Sequence, residues 1–176
     1  MNRVLYLPDV AESAAISAAD FARHGLACDV LPAGWFPRAI DANVPSARAV
    51  VGVGVGGNAA MRLALRFPER FPVVATLNAA FDVQAWHGAG TELDALYATR
   101  EACRQDCAIL YLDAARVPEQ IFFACGDESE WFRGHERLRE KLAAYGVPHT
   151  ARDDANAEEL LAFVAAALRS PVRRLL

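Results

Sequence analysis

The chain is short of the side chains on which hydrolytic and redox chemistry usually rest. It has five serines, Ser13, Ser17, Ser46, Ser129 and Ser170, and no histidine beyond His149. Its four cysteines are Cys28, Cys103, Cys107 and Cys125. Cys28 and Cys125 sit in apolar, strand-like runs and read as small core hydrophobes. Cys103 and Cys107 are four apart and share a helix face, but no nearby histidine pair completes the roughly four ligands of a zinc site. No metal and no other cofactor is expected, and nothing suggests an oxidising compartment. No apolar run approaches the roughly 20 residues that span a bilayer. The one at the N-terminus is too short for a signal peptide, so a cytoplasmic protein without membrane partners is expected. Basic charge is also lacking. The formal net charge is −4, and the one basic cluster, Arg169, Arg173 and Arg174, is too small to mark a nucleic-acid footprint. There is neither a linker nor an internal repeat. With 54% hydrophobic and 23% charged residues, residues 1–176 are expected to fold as one domain.

What the chain does have is a glycine turn. Ala49-Val50-Val51 reads as a strand buried on both faces. Gly52, Gly54, Gly56 and Gly57 follow within six residues. Ala60, Leu63, Ala64 and Phe67 then recur at helical spacing until Pro68. A strand that reverses into a closely packed helix needs residues without a Cβ at the bend.

Two active-site designs use such a turn. Gly52-Val53-Gly54-Val55-Gly56-Gly57 fits the dinucleotide pattern Gly-x-Gly-x-x-Gly, with Gly52, Gly54 and Gly57 as its glycines. It also fits the nucleophile elbow Gly-x-Ser-x-Gly everywhere except the tip, where Gly54 replaces serine. The dinucleotide reading predicts an acidic residue closing the next strand. Val73–Asn78 ends instead in Asn78, with Asp82 further along, and two strand units precede the turn. The elbow is favoured.

Residues around the turn strengthen this. The run Gly52 to Phe71, with its Ala-rich helix and Ala-Leu-Arg-Phe-Pro-Glu-Arg-Phe ending, resembles the elbow and following helix of α/β-hydrolase esterases. Cys103-Arg-Gln-Asp-Cys-Ala-Ile-Leu110, Arg133-Gly-His-Glu-Arg-Leu-Arg-Glu-Lys-Leu142 and Gly146-Val-Pro-His149 resemble matching blocks of a bacterial esterase-like branch. The resemblance spans about residues 47–150 in matching order. It implies a trimmed α/β-hydrolase fold.

The pattern of strands and helices agrees with that implication. Strands are expected at Val4–Leu7, Ala27–Leu31, Ala49–Val51, Val73–Asn78, Gln120–Cys125 and His149–Arg152. Helices are expected at Ala11–His24, after the glycine turn, from a Thr91 cap to about Asp113, at Trp131–Tyr145, and after an Asn156–Glu159 capping pair. Pro32–Pro45 is irregular. Such alternation argues for a three-layer α/β fold with a mostly parallel sheet of about six strands. If the elbow strand matches the family's, the strand order is 2-1-3-4-5-6.

The resemblance also defines what is missing. An esterase of this fold needs serine, acid and histidine in that order. Gly54 occupies the nucleophile position, Asp127 the acid position, and Asn156 lies nearest the lost histidine. His149 matches a structural position before the last strand. Losing serine or histidine alone costs several orders of magnitude in rate. The resemblance therefore implies a pseudoenzyme: an esterase-like protein that binds a small molecule in a vestigial pocket, or partners a second copy or an active relative. Surviving features would be the oxyanion N–H groups of Val55 and, from the Asp9–Val10 loop, Val10. Trp35, Phe81, Trp86 and Trp131 either line that pocket or belong to the core, the core reading being the commoner. A non-serine mechanism using His87 or Asp127 is the alternative. His24 is expected to stand at a helix end and complement its dipole, His135 to be exposed mid-helix, and the Arg100–Asp106 charges to brace neighbouring loops.

Overall fold

The computed structural model describes residues 2–10, 16–154 and 156–170. Six strands form one sheet: β1 (Asn2–Leu7), β2 (Leu26–Val30), β3 (Ala49–Val53), β4 (Val73–Leu77), β5 (Gln120–Ala124) and β6 (Thr150–Arg152). Their order across the sheet is β2-β1-β3-β4-β5-β6, and every pairing is parallel. This is the order expected from the elbow resemblance.

Side-chain alternation explains the three layers. Leu5, Leu7, Val50, Val74, Ile121 and Phe123 face one side. There they meet α2 (Gly54–Arg66), through Ala60, Leu63 and Ala64, and α5 (Phe132–Ala144), through Leu138 and Leu142. Val4, Tyr6, Val51, Ala75 and Phe122 face the other side. They are covered by α1 (Ala18–Arg23) through Phe21 and by α6 (Ala157–Arg169) through Leu160, Leu161 and Val164. Each fully buried aliphatic or Phe side chain contributes about 1.5–3 kcal/mol. A sheet sandwiched this way needs apolar residues on both faces of its central strands, and β3 and β4 are buried throughout.

Several expectations change. Of the helix expected at Ala11–His24, residues 11–15 lie outside the described residues. The helix seen is Ala18–Arg23, opened by a capping box in which Ser17 and Asp20 satisfy each other's backbone N–H. The long helix expected from Thr91 is broken into α3 (Leu93–Leu96), α4 (Arg100–Arg104) and a 3-10 turn at Ala108–Tyr111. Thr91 caps nothing, and its hydroxyl has no partner among the described residues. Thr99 is the cap instead, accepting from the Ala102 N–H at 3.1 Å. Tyr145, expected to close the helix begun at Trp131, lies one residue past the end of α5 and is 53% exposed. Cys28 is only half-buried. Among the described residues, no helix is long and apolar enough to cross a membrane.

Side-chain hydrogen bonds hold the irregular connections. Arg62 on α2 is 1% exposed, and its guanidinium makes four hydrogen bonds. It donates to both oxygens of buried Asp41 at 2.8 and 2.9 Å, to the Phe36 carbonyl at 2.7 Å and to the Asp106 carbonyl at 3.1 Å. Arg66 reaches the same Asp41 at 2.7 Å. Buried Asp106 takes the Arg38 N–H and the Tyr97 hydroxyl, each at 2.7 Å. The Arg100–Asp106 segment is thus a brace, as its charge pattern suggested, with Asp106 as the residue that does it.

Candidate functional site

The glycine turn lies at the carboxyl end of β3. Val53 is extended, and Gly54 turns into α2 with φ +56°, a left-handed value that L side chains rarely adopt. Gly56 lies against the end of β1, where a Cβ would sit 2.2 Å from the Leu7 carbonyl oxygen. At Gly52 a Cβ would strike the Gly56 carbonyl, and at Gly57 it would lie 2.6 Å from the Ala79 Cβ. The Ala80 N–H donates to the Gly54 carbonyl at 2.8 Å, closing the turn against the exit of β4. Strand, tight left-handed tip and helix form an elbow at the carboxyl edge of a parallel sheet, where such sheets place their sites.

A carboxylate fills the tip. A Cβ built on Gly54 would lie 2.2 Å from Asp9 Cγ and 2.3 and 2.4 Å from its two oxygens. Asp9 Oδ1 accepts from the Val55 N–H at 3.3 Å and from its neighbour Val10 N–H at 2.8 Å. The two N–H groups expected to serve an oxyanion are both turned on Asp9. Its negative charge at the N-terminus of a 13-residue helix is favoured by the helix dipole. A pyrophosphate seated there would have to displace that carboxylate, which removes the main attraction of the dinucleotide reading.

The other residues expected at triad positions are not assembled into a relay. Asp127 is exposed on the turn after β5. Asn156 is the N-cap of α6, its side-chain oxygen accepting from the Glu159 N–H at 3.1 Å. His87 is tied to the Tyr97 carbonyl, its Nε2 2.8 Å away. His149 Nδ1 lies 2.8 Å from the Val147 carbonyl. None of these groups hydrogen-bonds another.

Beside the elbow is a cleft of about 320 Å³, lined by Asp82, Gln84, Trp86, Arg100, Glu130, Trp131, Arg133 and Arg137 among others. Its aromatic wall is Trp86 and Trp131, tilted against each other, with Trp35 edge-on behind Trp86. Trp86 lies 4.7 Å from Trp131 and 6.2 Å from Trp35, and this group packs with Val55 of the elbow. Trp86 donates to Glu130 at 3.1 Å, and Arg137 pairs with Asp82 at 2.6 Å. Phe81 does not line the cleft. It is 1% exposed and packs edge-on against Phe123 in the core. Burial pushes the Cys103 thiol up to about 11 and the Cys107 thiol up to about 12, so both stay protonated. Cys107 donates to the Gln84 side chain at 2.8 Å.

His135 departs furthest from expectation. It is 1% exposed, its ring 4.7 Å from that of Phe123 and parallel to that of Phe132 at 6.1 Å. Burial pulls its pKa down to about 4, so it is neutral at pH 7. The signal was in the sequence: Trp131, His135, Leu138 and Leu142 recur at helical spacing, and all four are buried. Asp9 carried no such signal, because its meeting with Gly54 is a tertiary event.

This parallel sheet with an elbow after its third strand is an α/β-hydrolase-like fold. Among solved structures it is similar to an S-formylglutathione hydrolase from Agrobacterium tumefaciens, with TM-score 0.62 and 16% identity over 95% of this chain and 82% of that one. It is also similar to a lipase/esterase from Lactobacillus plantarum, with TM-score 0.62 and 12% identity over 95% and 84%. The capsule O-acetyltransferase of Neisseria meningitidis serogroup A matches with TM-score 0.62 and 9% identity over 96% and 86%. No protein-family profile and no curated protein matches the chain.

Proposed function

We propose that this chain is an esterase-like protein that has lost serine-hydrolase activity and binds a small anionic molecule in the cleft beside the old elbow. The observation that carries the reading is the seat of Asp9. An attacking hydroxyl has no Cβ to stand on at Gly54, and the space and N–H groups that would serve it hold a carboxylate. The missing imidazole supports the same conclusion, since Asn156 can neither take nor return a proton at neutral pH. The cleft favours an anion because three arginines line it against two carboxylates, and with Arg137 paired to Asp82, Arg100 and Arg133 face Glu130 alone. An active relative or a second copy as partner remains the coarser form of the proposal, with the cleft as its contact.

Incubation with a fluorophosphonate probe and with p-nitrophenyl acetate tests the loss of activity. Purified protein should take no label and hydrolyse no faster than a Gly54→Ala variant. Stoichiometric labelling at any residue, or saturable turnover that Asp9→Ala or Asp127→Asn changes, overturns it.

A further inference from the structure

We propose that His135, Glu136 and Asp153 form a binding site for a divalent transition-metal ion of the zinc class. Each offers one donor atom, and the three atoms lie within 4.8 Å of one another. They come from two elements. His135 and Glu136 stand in the first turns of α5, and Asp153 directly follows β6. Parallel pairing of β6 with β5 brings that end of the strand to the start of the helix.

The second observation is the buried imidazole itself. Both ring nitrogens of His135 lack a hydrogen-bond partner among the described residues, in a side chain 1% exposed. A buried polar atom left unpaired costs about 1–3 kcal/mol. Glu136 contributes a carboxylate oxygen to the cluster and has a buried, unpartnered Oε1. One ion would satisfy one imidazole nitrogen and a Glu136 oxygen together. Donors bound at about 2.0–2.2 Å to a tetrahedral ion sit roughly 3.5 Å apart, so the carboxylates must close by about 1 Å. Asp153, with its side chain 58% exposed, is free to make that movement and leaves an entry path from solvent.

The donor set selects the ion. One imidazole with two carboxylates suits zinc, cobalt or manganese, whereas an all-oxygen set would suit calcium or magnesium, and copper(I) would call for sulfur. Three protein ligands leave a fourth position open to water. A competing cation is already at hand. Arg139 lies 2.7 Å from Glu136 Oε2 and 3.5 Å from Asp153 Oδ1, balancing the charge the metal would meet. The site stands apart from the elbow and does not depend on how Asp9 acts.

Chelator-stripped full-length protein should bind one equivalent of Zn²⁺ by calorimetry and, with Co²⁺, develop a visible d–d absorption. Affinity should fall at least about tenfold in His135→Gln and in Asp153→Asn, since each removes a ligand. Asp153→Asn alters an exposed side chain, so it reports even if His135→Gln unfolds. Arg139→Gln should bind several times more tightly, which an ion held elsewhere would not do. No saturable binding by the unaltered protein, or unchanged affinity in Asp153→Asn and Arg139→Gln, overturns the site.

Discussion

At the scale of a single residue, the elbow turns on the volume that Gly54 leaves open. A serine there would adopt φ near +56° and push its Cβ into the Asp9 carboxylate. Left-handed strain and overpacking together are worth about 2–4 kcal/mol. Gly54→Ser is therefore expected to destabilise by that order without restoring turnover. Asp9→Ala should relieve part of it, so the double variant should be more stable than the sum of the single changes by at least about 1 kcal/mol. Urea unfolding of the four proteins measures this coupling. Simple additivity would mean that Asp9 does not occupy the serine's place in solution.

At the scale of elements, the connections matter more than the strands. The strands were legible because a segment buried on both faces must be apolar throughout. Ala49-Val50-Val51 and Gln120–Cys125 announce themselves that way, as does the Asn156–Glu159 cap by its local chemistry. The stretch from Thr91 to Asp113 was not legible as three pieces. Its helical spacing is real, but Asp94 binds the Gly88 and Gly90 N–H groups, and Asp106 is drawn to Tyr97 and Arg38. Those tertiary bonds replace helical ones. Arg62 was equally hidden, since nothing local distinguishes a buried arginine from an exposed one on an Ala-rich helix. Its removal shows what it holds. Arg62→Met should cost about 3–5 kcal/mol, because Asp41 would be left buried with only Arg66 beside it. Hydrogen exchange should then quicken at residues 36–43 and 106–108 before it does in β3 or β4. A loss under about 1 kcal/mol would show that the pair gives little beyond what apolar packing could replace.

At the scale of the whole molecule, the elbow and the cleft are two separate features of the carboxyl edge of the sheet. The elbow holds a carboxylate from its own chain. The neighbouring cleft, formed where the exits of β4 and β5 meet α5, has volume, aromatic surface and positive charge. All three tryptophans of the chain belong to one cluster, and Trp86 and Trp131 line the cleft, so their emission responds to an occupant there. A cavity of about 320 Å³ suits a small aromatic acid, which would lay its ring on Trp86 or Trp131 and its carboxylate toward Arg100 or Arg133. Benzoate is the simplest probe with both features. It should change tryptophan emission saturably, and more weakly as salt rises, because exposed guanidiniums are screened. Arg133→Gln should reduce its affinity several-fold while leaving unfolding unchanged, since that side chain lines the cleft and stands outside the core clusters. Benzamide, the same shape without the charge, separates the two contributions. Equal binding of benzoate and benzamide would assign recognition to the tryptophan wall. The arginines would then be solvent-facing charges of α4 and α5, and the ligand class would be neutral and aromatic.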